Sequence, residues 1–287
     1  GTAAFNNNGT GTFKKSAGNG TTTVSILFNN SGAVNVLTGT INLSGGGTSS
    51  GTFTGPGMFI GSGTLQFGGG THDLGAASSI NIPTVVVSAG TVNVAGSLSG
   101  ASLTISGGTV NVNSIGAVNP TSLVFSSGTL GGTGTISISG LTTWTGGTMT
   151  AAGTTNANGG ISFSGVFVQD LRSSRILNTA GTTTWTGTGG VRVGTGAVIN
   201  NSGTWDCQSD ATMSNPFGGT AAFNNNGTGT FKKSAGTGTS TVSIAFNNSG
   251  TVDVQSGTIN LSGGGTSPGT FTGSAGTLQF AGGTHDL

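Results

Sequence analysis

Thr23–Leu43 reads TVSILFNNSGAVNVLTGTINL, and Thr241–Leu261, 218 residues later, reads TVSIAFNNSGTVDVQSGTINL. Four of the five differences between the two segments fall on one parity. Val34 and Val36 return as Val252 and Val254, whereas Ala33, Asn35 and Leu37 become Thr251, Asp253 and Gln255. Val24, Ile26 and Phe28 return as Val242, Ile244 and Phe246, while Leu27 between them becomes Ala245. Successive side chains of an extended strand point to opposite faces, so a two-residue alternation of held and free positions marks one packed face and one wet face. The stretch therefore predicts short β-strands lying on a core.

The copying extends outward from this stretch. GTAAFNNNGTGTFKKSAG occupies Gly1–Gly18 and again Gly219–Gly236, and the likeness runs on through GTLQF to THDL at His72 and His285. The chain divides into one long block, residues 1–218, and the continuous start of the next, residues 219–287. Solenoid units are about 20–50 residues, so a block this long holds several smaller units. Strand signals fall at Val24–Phe28, Thr40–Leu43, Gly63–Phe67, Thr84–Val87 and Gly90–Val94, separated by SG, SGGG or GTG. No stretch carries a 3.6-residue apolar period with caps, which predicts no helices of consequence.

Like residues recur at the spacing of a coil. Phe5 and Phe28 are 23 apart, Leu177 and Ile199 are 22, and Val92 and Val110 are 18. The expected fold is all-β: a parallel β-helix, or β-solenoid, with three short strands per rung and about 18–24 residues per rung. At about 4.8 Å per rung, 12–14 rungs extend roughly 60 Å, and the general handedness of parallel crossovers makes the coil right-handed. Asn6, Asn29, Asn178, Asn200, Asn224 and Asn247 each follow one of these apolar residues, and stacked amides of this kind form hydrogen-bonded ladders. Glycine supplies the positive φ that corners need, and all five prolines fall at or near predicted corners.

Composition narrows the function. The 287 residues include 59 Gly, 15 Phe and one Cys, with a net charge of +1, and only 5% are charged. Few prolines and no G-X-Y period exclude collagen, and the sustained apolar alternation argues against a disordered linker. Near-neutrality leaves no footprint for nucleic acid, and no apolar run approaches the roughly 20 residues that span a bilayer. Lone Cys207 shares a strand face with Trp205 and reads as a small core residue.

Chemistry-bearing residues are sparse, and neither catalysis, a cofactor nor a metal is expected. His72-Asp73 and His285-Asp286 are too few donors for a zinc site. The best candidate for acid–base chemistry is Asp170 with Arg172 and Arg175, which lacks the second carboxylate that such chemistry uses. Lys14-Lys15 and Lys232-Lys233 read as solvated edges. Trp144, Trp185 and Trp205 recur at rung-like spacing, either as an exposed sugar-stacking row or as a column packed inside. Pro56–Gly63 is five residues longer than its counterpart Ser274–Gly276, so Met58, Phe59 and Ile60 form a candidate partner-contact loop or tuck back over the core.

Units such as SGTVDVQSGTINLSGGG and AGTLQFAGGTHDL resemble the repeats of long bacterial surface proteins, the autotransporter-passenger and filamentous-haemagglutinin-like β-solenoids. The resemblance implies an extracellular or cell-surface location and a structural or adhesive role, as the shaft of a fibre, stalk or adhesin. It implies partners of two kinds: neighbouring repeats end to end, and surface glycans or other cells. The alternative function is a carbohydrate-binding or carbohydrate-active β-helix.

Overall fold

A computed structural model of the chain describes residues 2–56 and 62–287. Among the described residues all regular structure is β-strand, and the strands stack in parallel as a β-solenoid of about 14 turns with about 20 residues per turn. The chain falls into two compact units, Gly1–Ser139 and Gly140–Leu287. Residues Met58, Phe59 and Ile60 lie outside the described residues.

In unit 1, Leu27–Asn30, Ala33–Val36 and Thr40–Leu43 make the three sides of one turn. The next turn lies on it with Val34 beside Phe53 and Ile41 beside Leu65. In unit 2 a turn of Val191–Val193, Val198–Asn201 and Thr204–Cys207 pairs with the next through Val191–Met213, Ile199–Phe223 and Trp205–Phe231. Parity sorts burial as it sorted substitution: Val34, Val36, Val252 and Val254 are buried, whereas Asn35 and Asp253 on the same strands are only partly covered. Each turn buries several such side chains, each stabilising by about 1.5–3 kcal/mol before ordering entropy is subtracted.

Three sequence expectations change in detail. The strand expected at Val24–Phe28 is two, Thr21–Val24 and Leu27–Asn30, with a corner between them. Conversely, the strands expected at Thr84–Val87 and Gly90–Val94 are one bent strand, Thr84–Val94. Turn length also exceeds the expected range: Val92 pairs with Val110, 18 residues on, but Met213 pairs with Val242, 29 residues on. Pairing restrains only the strands, so additional residues collect in corners without disturbing the stack.

The bent corner of unit 1 shows why glycine is needed. Gly70, Gly90, Gly108 and Gly128 have φ of +66, +73, +66 and +85 and lie one above another. A Cβ on Gly90 would sit 2.2 Å from the Gly70 carbonyl oxygen, and one on Gly108 would sit 2.6 Å from that of Gly90. Backbone is thus packed on backbone at a left-handed conformation, which excludes any side chain. Pro83, Pro120 and Pro268 occupy gaps between strands, as expected.

Candidate functional site

The doublet Asn-Asn, which recurs at the end of corner-forming strands, splits between the two faces. The first residue points outward. Asn178 donates to Asn156, Asn200 to Asn178, Asn224 to Asn200 and Asn247 to Asn224, each amide nitrogen 2.8–2.9 Å from the side-chain oxygen one turn earlier. The second residue points inward and builds a separate ladder that the sequence reading missed. Thr179 donates to Asn201, Asn201 to Asn225 and Asn225 to Asn248 at 2.8–2.9 Å, and these side chains are fully buried. In unit 1, Asn7 donates to Asn30 and Asn30 to Ser49 in the same manner. The signal was the doublet itself, because adjacent strand residues face opposite ways.

The tryptophans are core. Trp144, Trp185 and Trp205 are 0%, 1% and 0% exposed, so they present no face to a sugar, and the stacking-row alternative is set aside. They belong to an interior aromatic column: Trp144–Phe163, Phe163–Trp205 and Trp205–Phe223 have ring centroids 5.5, 5.4 and 5.1 Å apart. Their spacing misleads, because Trp205 pairs across the turn with Thr183 and Cys207 pairs with Trp185. Trp185 and Trp205 therefore meet diagonally, edge to face, at 6.3 Å.

Asp170, Arg172 and Arg175 do not converge. Asp170 stands on an outward face and is held by Arg192 of the next turn, through Nε to Oδ1 at 2.6 Å and Nη2 to Oδ2 at 2.8 Å. That bond favours the charged guanidinium and raises the Arg192 pKa further. Arg172 lies at the corner, where its guanidinium and that of Arg192 approach the Phe217 ring at 5.6 and 5.2 Å. Arg175 turns inward, fully buried, donating to Thr155 Oγ1 at 2.9 and 3.2 Å; burial pulls its pKa down to about 10. Ser173 and Ser174, both at φ +59, reverse the chain between the two arginines, with their amides on Thr195 Oγ1 and Thr195 O. The Asp170–Arg192 pair was missed because its members are 22 residues apart, one turn of the coil.

Lys233 corrects a second expectation. Lys232 points outward, 3.5 Å from Asp206, but Lys233 is buried, its Nζ donating to Asp210 at 2.7 Å, the Ser209 carbonyl at 3.1 Å and Ser240 Oγ at 3.1 Å. The ammonium holds the Asp210 carboxyl below its usual range. His72 is buried with Nε2 3.0 Å from the Gly69 carbonyl oxygen, and burial lowers its pKa from 6.5. Cys207 is buried, which pushes its thiol up to about 12 and leaves it protonated and inert at neutral pH.

These shifts set a pH response. A depressed carboxylate stabilises the fold above its unfolded value of 3.8, and the contribution is lost as pH falls through the folded value. A histidine kept neutral by burial also destabilises the fold as pH drops below 6.5, where the unfolded chain takes up the proton. Both act in one direction. Urea midpoints are expected to decline from pH 7 to pH 5 in unit 1, which holds His72, and below about pH 4 in unit 2, which holds Asp210. A midpoint that rises on acidification contradicts this account.

No family model matches the chain, and neither a curated protein nor a solved structure matches it.

Proposed function

We propose that the chain is a load-carrying segment of a long repetitive bacterial surface protein, forming the shaft of a fibre, stalk or adhesin. One observation carries this reading: between the two blocks the buried apolar positions are held, and most of the residues that differ lie outside the core, as at Val34/Val252 against Asn35/Asp253. A constant packed face suits a spacer, whose property is extension and whose stability accumulates from turn to turn. The polar side chains that stack, the Asn ladders, hold neighbouring turns in register, which again serves the column. In this reading the role is mechanical and not enzymatic, the location is extracellular, and the partners are further repeats joined end to end.

Electron microscopy of the purified chain, beside a version with one more 218-residue block, tests the proposal. Ten additional turns at about 4.8 Å each add roughly 50 Å of length at constant width. A particle that thickens or becomes globular overturns it.

A further inference from the structure

In unit 1 the corner between the first and second sides of the turn varies in length. It takes four residues after Asn7, two after Asn30, two after Ser49, four after Leu74, two after Val94 and five after Val112. Long corners project and short ones recede. Beside these corners lies a groove of about 500 Å³, lined by residues of successive turns from Asn8 to Asn113. Its wall on the first side is one residue per turn: Asn29, Thr48, Asp73 and Asn93. Ser31 and Ser50, both exposed, form the receding corners.

The chemistry of this groove is that of amides and hydroxyls. Asn29 donates to Asn6 at 2.9 Å and its oxygen accepts from the Thr48 amide at 3.2 Å. An amide nitrogen has two hydrogens, and the ladder occupies one. The single carboxylate, Asp73, already accepts from Asn93 at 2.7 Å, and no cationic side chain lines the groove.

We propose that this groove binds a linear, uncharged polysaccharide lying along the stack, about one sugar residue per turn. The turns repeat at about 4.8 Å, close to the length of one pyranose residue in an extended chain. An extended peptide advances about 3.3–3.4 Å per residue and falls out of step with such a ladder. Peptide addition as a strand is also blocked, because the corner backbone is consumed between turns: Ala33 N donates to Gly11 O, and Thr52 N to Gly32 O, both at 2.9 Å. Phosphate polymers need cations, and Asp73 repels acidic glycans. The start of the next block keeps the long NGTG corner at Asn226–Gly229 followed by the short Ser249-Gly250 corner.

The proposal is independent of the shaft reading: particle length tests one and sugar binding the other. Isothermal titration calorimetry of the whole chain would use hexamers of β-1,4-linked glucose, mannose and N-acetylglucosamine, with an α-1,4-galacturonate hexamer as the acidic comparison. At least one neutral hexamer is expected to bind, tenfold or more tightly than its dimer. Ser50→Trp, which fills the groove from an exposed corner, is expected to weaken binding at least tenfold with the thermal midpoint unchanged. Thr48→Val, which removes a hydroxyl and little volume, is expected to weaken it several-fold and serves if Ser50→Trp misfolds. The proposal fails if none of the three neutral hexamers binds, if the acidic hexamer binds better, or if folded Ser50→Trp or Thr48→Val binds as well as the parent.

Discussion

Asn225→Ala is expected to destabilise unit 2 by about 3–5 kcal/mol, whereas Asn224→Ala, one residue earlier, is expected to cost less than about 1 kcal/mol. The two side chains have the same chemistry and differ in where they point. Asn225 is fully buried and accepts from Asn201 at 2.9 Å while donating to Asn248 at 2.8 Å and to the Thr251 carbonyl at 3.0 Å. Removing it strands acceptors on Asn248 and Thr251, each left dry at about 1–3 kcal/mol, and takes from the Asn201 amide its shortest contact. It also opens a void next to Gly229, whose carbonyl accepts from Asn225 at 3.2 Å. Asn224 has solvent to replace its partners. Urea unfolding of the two variants, with native-state hydrogen exchange to localise the loss to Val198–Asn201 and Ala245–Asn248, measures the difference. Equal costs would show that the inner ladder does not hold the turns together.

Trp205→Ala is expected to cost about 3–5 kcal/mol, near the upper range for a core aromatic. The ring is 0% exposed and contacts aromatic neighbours on several turns: Phe163 at 5.4 Å, Phe223 at 5.1 Å and Trp185 at 6.3 Å between centroids. Its loss removes the transfer energy of an indole, leaves a cavity that the paired strands restrain from closing, and forfeits edge-to-face contacts of about 0.5–1.5 kcal/mol each. Trp205→Phe keeps part of the column and is expected to cost less than half as much. Denaturant midpoints measure the costs, and acrylamide quenching should leave native tryptophan emission almost untouched. A cost under about 1 kcal/mol for Trp205→Ala, or ready quenching, would mean that the tryptophans are not the core of unit 2.

Much of this architecture is legible in the chain because its rules are local. Two-residue alternation at Val34-Asn35-Val36 assigns faces without reference to any distant residue. The 22-residue return from Leu177 to Ile199 is the pairing observed, and so is the 18-residue return from Val92 to Val110. The outer Asn ladder follows from the same count. Equal spacing misled where corners vary: Trp185 and Trp205 are 20 apart on a turn of 22, so they sit out of register. Lys233 was read as a solvated edge and Arg175 as a partner of Asp170, yet strand parity and the corner geometry turn both inward, where hydroxyls and carbonyls receive their donors.

The sequence by itself determines that the chain is a stack of short strands with one packed face, because period-two patterning and repeated turn lengths act between neighbours along the chain and between adjacent turns. Only the tertiary structure decides which residues one turn apart meet. The number of residues in each corner sets how far along the chain a strand's partner lies, and those corner lengths add up only when the turn closes. The Asp170–Arg192 pair, the buried ladder through Asn225 and the groove beside Asn29 all depend on that sum.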